Sequence, residues 1–352
     1  MHDLTPQLVE QVQQARAEQT PLHIVGGNSK SHLGRATQAQ PINVVGHSGI
    51  ISYNPTELVI RARAGTTIQE LQSALAEQQQ RLPFEPPHHQ GLATIGGTVA
   101  ANQSGPSRPW FGAVKDSLLG LGLINGYGEA MLFGGQVMKN VAGFDVTRLQ
   151  TGAMGSLGLI TEVSIKVLPQ FNANETLVCE LNAQAALKQM QAWGNLSMPL
   201  SGMCYWQNKL YVRLQGSVAG VEETCKVFSK ALPLVVLEAD LAQEFWQKVT
   251  ERELLVAQEK QIMWRWSGPS NAPASALDNT EFINWAGSER WALTTASDAT
   301  VVNPHVTQYR GGDRSLDVNP SINAHDQALQ QRIKHAFDPD GLFNVGRLYS
   351  WL

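Results

Sequence analysis

The most regular pattern in the chain lies at residues 159–168, where Val163, Ile165 and Val167 alternate with Glu162, Ser164 and Lys166. Period-two alternation predicts a half-buried strand, and Pro169, which has no N–H to give a ladder, stops it. A short apolar run at 22–25 predicts a buried strand that passes straight into Gly26-Gly27-Asn28-Ser29-Lys30. Residues 57–64 alternate well enough for another strand, ending at Gly65. Helical spacing then takes over at Ile68, Leu71 and Leu75, and Thr67-Ile68-Gln69-Glu70 has the form of a capping box.

Beyond residue 171 the texture changes. Helices are predicted over 183–193, 218–231 and 322–337, with another starting at Leu241. A hairpin over 202–214 turns at Gln207-Asn208, a strand follows at 234–237, and 267–279, with Pro269 and Pro273, reads as a loop. Eight of the nine tryptophans lie beyond residue 190, which gives the second half an aromatic core of its own. No internal repeat is present.

A length of 352 residues exceeds one typical domain and predicts two. The net charge of -4 gives no electrostatic reason to expect nucleic acid or acidic lipid, so a bound anion must be held by local backbone dipoles and a few placed cations. Cys179, Cys204 and Cys225 are too far apart for a CxxC pair and read as small buried hydrophobes in a reducing cytoplasm. The N-terminal residues lack the features of a signal peptide, and no apolar run approaches the ~20 residues of a membrane span. The expectation is a cytoplasmic protein that meets the inner face of the membrane only peripherally, through a complex.

Common cofactor and hydrolase signatures are missing. Gly120-Leu121-Gly122-Leu123-Ile124-Asn125 fails the GxGxxG pattern at its third glycine, and no GK[ST], HExxH or GxSxG occurs. No clustered His/Glu metal site is read. What remains is a series of glycine clusters: Gly26-Gly27, Gly96-Gly97, and Gly152 with Gly155 and Gly158, besides Gly105 and Gly112. Successive N–H groups in such turns can cradle a diphosphate, or the glycines can simply serve tight turns. From composition alone both readings stand.

The order and detail of the clusters resemble a known family. Leu22-His23-Ile24-Val25-Gly26-Gly27-Asn28-Ser29-Lys30 is similar to the first pyrophosphate loop of the vanillyl-alcohol-oxidase (PCMH-type) flavoproteins. Ala93-Thr94-Ile95-Gly96-Gly97-Thr98-Val99-Ala100-Ala101-Asn102 resembles their second flavin segment, followed by Ser104-Gly105-Pro106, Gly112 and Val114-Lys115-Asp116. The strings from Gly134 to Gly143 and from Gly105 to Trp110, with the tail from Phe337 to Arg347, look like the FAD-binding subunit of the three-part glycolate oxidase. Two positions depart from that family: Val345 stands where proline is usual, and Phe144 where tyrosine is usual.

The resemblance implies an α+β fold. A PCMH-type FAD-binding domain of two α+β subdomains spans 1–171. A smaller α+β cap or substrate domain spans 172–352, and its tail, 338–352, returns to the flavin. It implies non-covalent FAD, with Gly26, Gly27, Asn28, Ser29, Lys30, Pro86, Thr94, Ile95, Gly96, Gly97, Thr98, Ala101, Asn102, Ser104, Gly105, Asp116, Lys139, Ile160 and Asn344 at cofactor-contacting positions. At Gly97 a positive φ and a close ligand approach are expected, both of which a β-branched side chain would block. His88, His89 and His32 sit in no flavin-attachment motif and read as loop-packing residues.

The implied activity is oxidation of glycolate or a related 2-hydroxy acid, in complex with a larger FAD-containing subunit and an iron–sulfur subunit that passes electrons to quinone. Such a substrate needs a bidentate cation for its carboxylate and a base near its hydroxyl. Arg347, Arg310 and His305 are the candidates of those types, with surface or ion-pair roles as the alternative. A stand-alone FAD-dependent D-lactate dehydrogenase and a non-catalytic flavin-binding scaffold are the competing readings.

Overall fold

The computed structural model describes residues 3–135, 145–295 and 304–352, so Lys139 and Phe144 lie outside the described residues. The chain forms two compact units. One comprises Met1–Gln103, Ala113–Pro169 and Asp313–Leu352, the other Ser104–Gly112 and Gln170–Gly312. This differs from a single cut at 171/172. The return to the first unit begins at Asp313, well before residue 338, and the short piece Ser104–Gly112 joins the second. Packing explains both departures. Trp110 packs against the second unit's core, and Trp285 Nε1 donates to the Gly105 carbonyl at 2.8 Å. Arg35 pairs with Asp317 at 3.3 Å, which keeps 313–352 with the first unit.

In the first unit the alternating segment forms the strand Leu159–Lys166, at the centre of a five-stranded antiparallel sheet. Its neighbours are Val59–Arg63 and Leu118–Ile124, with Ile50–Asn54 and Ala130–Gly134 at the edges. The helix Ile68–Ala76 starts at the predicted capping box, with both Thr67 and Glu70 side chains bonded to the opposite backbone N–H. Ile68, Leu71 and Leu75 are fully buried on its inner face, each contributing about 1.5–3 kcal/mol of transfer free energy. The strand Leu22–Val25 pairs in parallel with Gln40–Asn43 and is flanked on its other side by a bridge to Phe343.

In the second unit the predicted hairpin is present as Leu200–Trp206 and Lys209–Gly216. Gln207 and Asn208 both adopt positive φ, 48° and 60°, as the right-handed twist of a two-residue hairpin demands. The hairpin lies within an eight-stranded antiparallel sheet. On one face the helices Ala183–Gly194 and Val218–Ala231 cover it, with Trp193 stacked on Phe228 at 4.0 Å. Six further strands, Ala173–Glu180, Val235–Val236, Ile262–Ser267, Thr280–Asn284, Glu289–Thr294 and Val306–Arg310, complete that sheet. No helix among the described residues is long and apolar enough to cross a membrane.

Candidate functional site

The first unit contains a groove lined by residues 23–31, by Thr94, Gly97, Ala100 and Ala101, and by Met154, Asn344 and Arg347. Its floor is the turn that follows the strand Leu22–Val25. Asn28 takes a left-handed φ of 52° there, which bends successive amides toward one side. None of the amides of Gly26, Gly27, Asn28 and Ser29 donates to an acceptor among the described residues. Lys30 extends its ammonium across the same turn, 3.3 Å from Ser29 Oγ. A row of open N–H donors with a cation beside it suits a diphosphate.

The two glycines of the second segment have separate jobs. Both lie in the helix Ile95–Ala101, which Thr94 caps by accepting from the Gly97 amide at 3.3 Å. A Cβ on Gly96 would sit 2.6 Å from the Ala64 Cβ, so this glycine lets a helix meet a strand. A Cβ on Gly97 would enter the groove, with Thr94 Oγ1 at 3.2 Å and Lys30 Nζ at 3.9 Å. The expected positive φ at Gly97 is corrected, because the residue is helical and absent from the positive-φ glycines.

Other members of the sequence-derived set fall into three groups. Asn344 lines the groove; its Oδ1 accepts from the Ile24 amide at 2.9 Å and its Nδ2 donates to the Met154 carbonyl at 2.6 Å. Thr98 and Asn102 stand behind the groove with Thr98 Oγ1 and Asn102 Oδ1 buried and unpartnered among the described residues. Ile95 and Ile160 bury their side chains in the core, and Pro86 is buried too, while Asp116 accepts from the Ala113 amide at 2.9 Å and caps a short helix. Ser104 and Gly105 belong to the second unit. Sequence reasoning missed His23, Ser31, Ala100 and Met154 as lining residues. For His23 the signal was available, since it alternates with buried Leu22 on a strand that enters the glycine turn.

The substrate candidates do not converge. His305 and Arg310 are both exposed and flank the strand Val306–Arg310 at opposite ends, about 17 Å apart at a strand's rise per residue. They are too distant to grip one two-carbon acid together. Arg347 is buried, and its Nη atoms donate to the carbonyls of Arg35 at 2.8 Å and Ser31 at 3.0 Å. Its guanidinium fastens the loop that follows the glycine turn. Burial holds its pKa below the ordinary arginine value. His23 is likewise depressed, by burial first and then by the nearby Arg347 charge, so it stands neutral beside the groove at pH 7.

Residues 5–134 match the family model described as an FAD binding domain. Among solved structures, p-cresol methylhydroxylase with substrate bound superposes with a TM-score of 0.74 at 13% identity, over 97% of this chain and 87% of that one. The fold and the groove thus define a PCMH-type FAD-binding flavoprotein. Glycolate oxidase subunit GlcE of Escherichia coli (strain K12) is 40% identical over 356 residues, 99% of each chain. Glycolate oxidase subunit GlcD of Bacillus subtilis (strain 168) is 35% identical over 92 residues, 26% of this chain and 20% of that one. The chain belongs to the family of the glycolate oxidase subunit GlcE.

Proposed function

We propose that this chain is the FAD-binding subunit of a glycolate oxidase, an oxidoreductase that converts glycolate or a related 2-hydroxy acid to the 2-oxo acid. The observation that carries the reading is the row of four unpartnered amides at Gly26, Gly27, Asn28 and Ser29 beside the Lys30 ammonium. Bound FAD supplies a two-electron acceptor. The chain's own residues do the rest: the open amides and Lys30 offset the diphosphate charge, Gly97 leaves room for it, and Asn344 and Arg347 fix the turn from behind. Asn344 and Arg347 are bonded to backbone groups, and Lys30 to the Ser29 hydroxyl, before a ligand arrives, so the ordering cost of binding is reduced. In this reading the electrons pass to an iron–sulfur partner and quinone, alongside a larger FAD-containing subunit, at the cytoplasmic side of the membrane.

The purified chain is expected to be yellow and to release all of its flavin into the supernatant on acid precipitation, with the mass of FAD. Under anaerobic conditions glycolate should bleach that flavin in the complex. An FMN mass, or colour retained in the pellet, contradicts the cofactor assignment. A flavin that glycolate leaves oxidised contradicts the oxidase reading.

A further inference from the structure

We propose that Arg265, on the large sheet of the second unit, binds a small carboxylate. That this carboxylate is the 2-hydroxy-acid substrate rests on the function proposed above; the anion site itself does not.

The case begins with a buried acid. Glu289 is fully buried at the start of the strand Glu289–Thr294. One of its oxygens accepts from Arg265 Nε at 2.8 Å. The other accepts from Asn284 Nδ2 at 3.0 Å and faces Arg252 Nη1 at 3.5 Å. Glu289 therefore fixes Arg265 by its Nε alone, which is the donor on the near edge of the guanidinium. Two indoles hold the plane of that group, with the Trp285 ring centroid 5.0 Å and the Trp291 centroid 5.8 Å from Arg265 Cζ.

Neither Nη of Arg265 meets an acceptor among the described residues, and 26% of the side chain is exposed. The result is a planar fork whose rotamer is already chosen and whose two terminal donors are left for something else. An unused fork of this kind matches the two oxygens of a carboxylate.

The charges around it agree. Arg108 lies over the same Trp285 ring at 4.3 Å and Arg252 over Trp291 at 5.0 Å. Arg252 and Arg265 share the buried Glu289 carboxylate. Two buried donors in the same cluster, Arg252 Nε and Trp291 Nε1, have no partner among the described residues. A fixed guanidinium with open terminal donors, beside two buried donors without partners, takes an anion with several oxygens at low cost.

Oxalate is the probe. Titrated into the FAD-loaded full chain, it should bind with one-to-one stoichiometry by calorimetry and change the tryptophan fluorescence, since Trp285 and Trp291 frame the fork. Arg265→Gln should weaken binding tenfold or more with an unchanged circular-dichroism spectrum. Arg265→Lys keeps a cation beside Glu289 without the fork and should weaken it several-fold, and it decides the matter should the glutamine variant not fold. Parent-like oxalate affinity in the folded variants, or no binding to the parent, overturns the proposal. So does inorganic phosphate displacing oxalate at equal concentration. An oxalate site that depends on Arg265, beside a flavin that glycolate cannot bleach, supports this site while removing the oxidase reading.

Discussion

Gly96 and Gly97 stand side by side in the sequence, yet the helix Ile95–Ala101 turns one toward Ala64 and the other toward the groove. The same substitution should therefore fail in two different ways. Gly96→Val is expected to destabilise the fold by about 1–3 kcal/mol through overpacking against a strand, seen as a lower melting temperature of the flavin-free chain. Gly97→Val should leave that temperature nearly unchanged and sharply lower the FAD retained after gel filtration. Equal melting losses in both variants would remove Gly97 from the ligand side. The glycine pair was legible in the sequence because glycine is conspicuous. Which member faces the groove was not, because that depends on the phase of a helix against a segment far away in sequence.

Among the elements, those with a strong local signal were read well. The strand Leu159–Lys166, the capped helix Ile68–Ala76 and the hairpin at Gln207-Asn208 each carry a local signal strong enough to stand without tertiary help. The strands Ile262–Ser267 and Glu289–Thr294 carry none, since Trp264 and Trp266 bury one face while half-buried Arg265 and buried Glu289 share the other. Buried polar pairs erase the alternation that sequence reading depends on.

The C-terminal helix Ala324–Phe337 shows the same limit, because Lys334 and Asp338 look like an ordinary exposed pair at i,i+4 spacing. In the structure Lys334 is buried and donates to Asp338 Oδ2 at 2.6 Å and to the carbonyls of Ser156 and Phe343 at 2.6 and 2.8 Å. Burial lowers the Lys334 pKa, and Asp338 opposes that shift. Asp338→Asn strands the ammonium and should cost about 3–5 kcal/mol, the usual result of breaking a buried pair from one side. Chemical denaturation of parent and variant at neutral pH measures it. A cost below 1 kcal/mol would mean that the backbone carbonyls alone satisfy Lys334.

At the scale of the whole molecule, the chain passes between its two units at 103/104, 112/113, 169/170 and 312/313. A fragment 1–171, which the sequence alone would nominate as a domain, lacks the Phe343 bridge and the Asn344 contacts of the groove. The second unit has its own electrostatic keystone. Burial opposes ionisation of Glu289, but Arg252 and Arg265 outweigh it, so its pKa falls below the ordinary 4.5. The folded chain then takes up this proton at lower pH than the unfolded chain does. The stabilisation is complete above about pH 4.5 and disappears as the pH falls through the lower folded value. Urea midpoints measured from pH 7 down to pH 3 should drop below pH 4.5. In Glu289→Gln, which starts less stable, that part of the drop should be absent. An identical acid profile in both would assign the loss to other carboxylates.

The groove closes through residues some three hundred positions away in the chain. Leu22 donates to the Leu342 carbonyl at 2.7 Å, Asn344 donates back to Leu22 at 2.9 Å, and Arg347 holds the loop at 31–35. The turn that lines the groove is thus begun at residues 22–31 and finished only by residues 342–347. Domains tend to fold in order as they leave the ribosome, but this one must wait for translation to reach its last contacts. On the function proposed above, cofactor loading therefore follows the synthesis of both stretches, long after the first strand of the groove has been made.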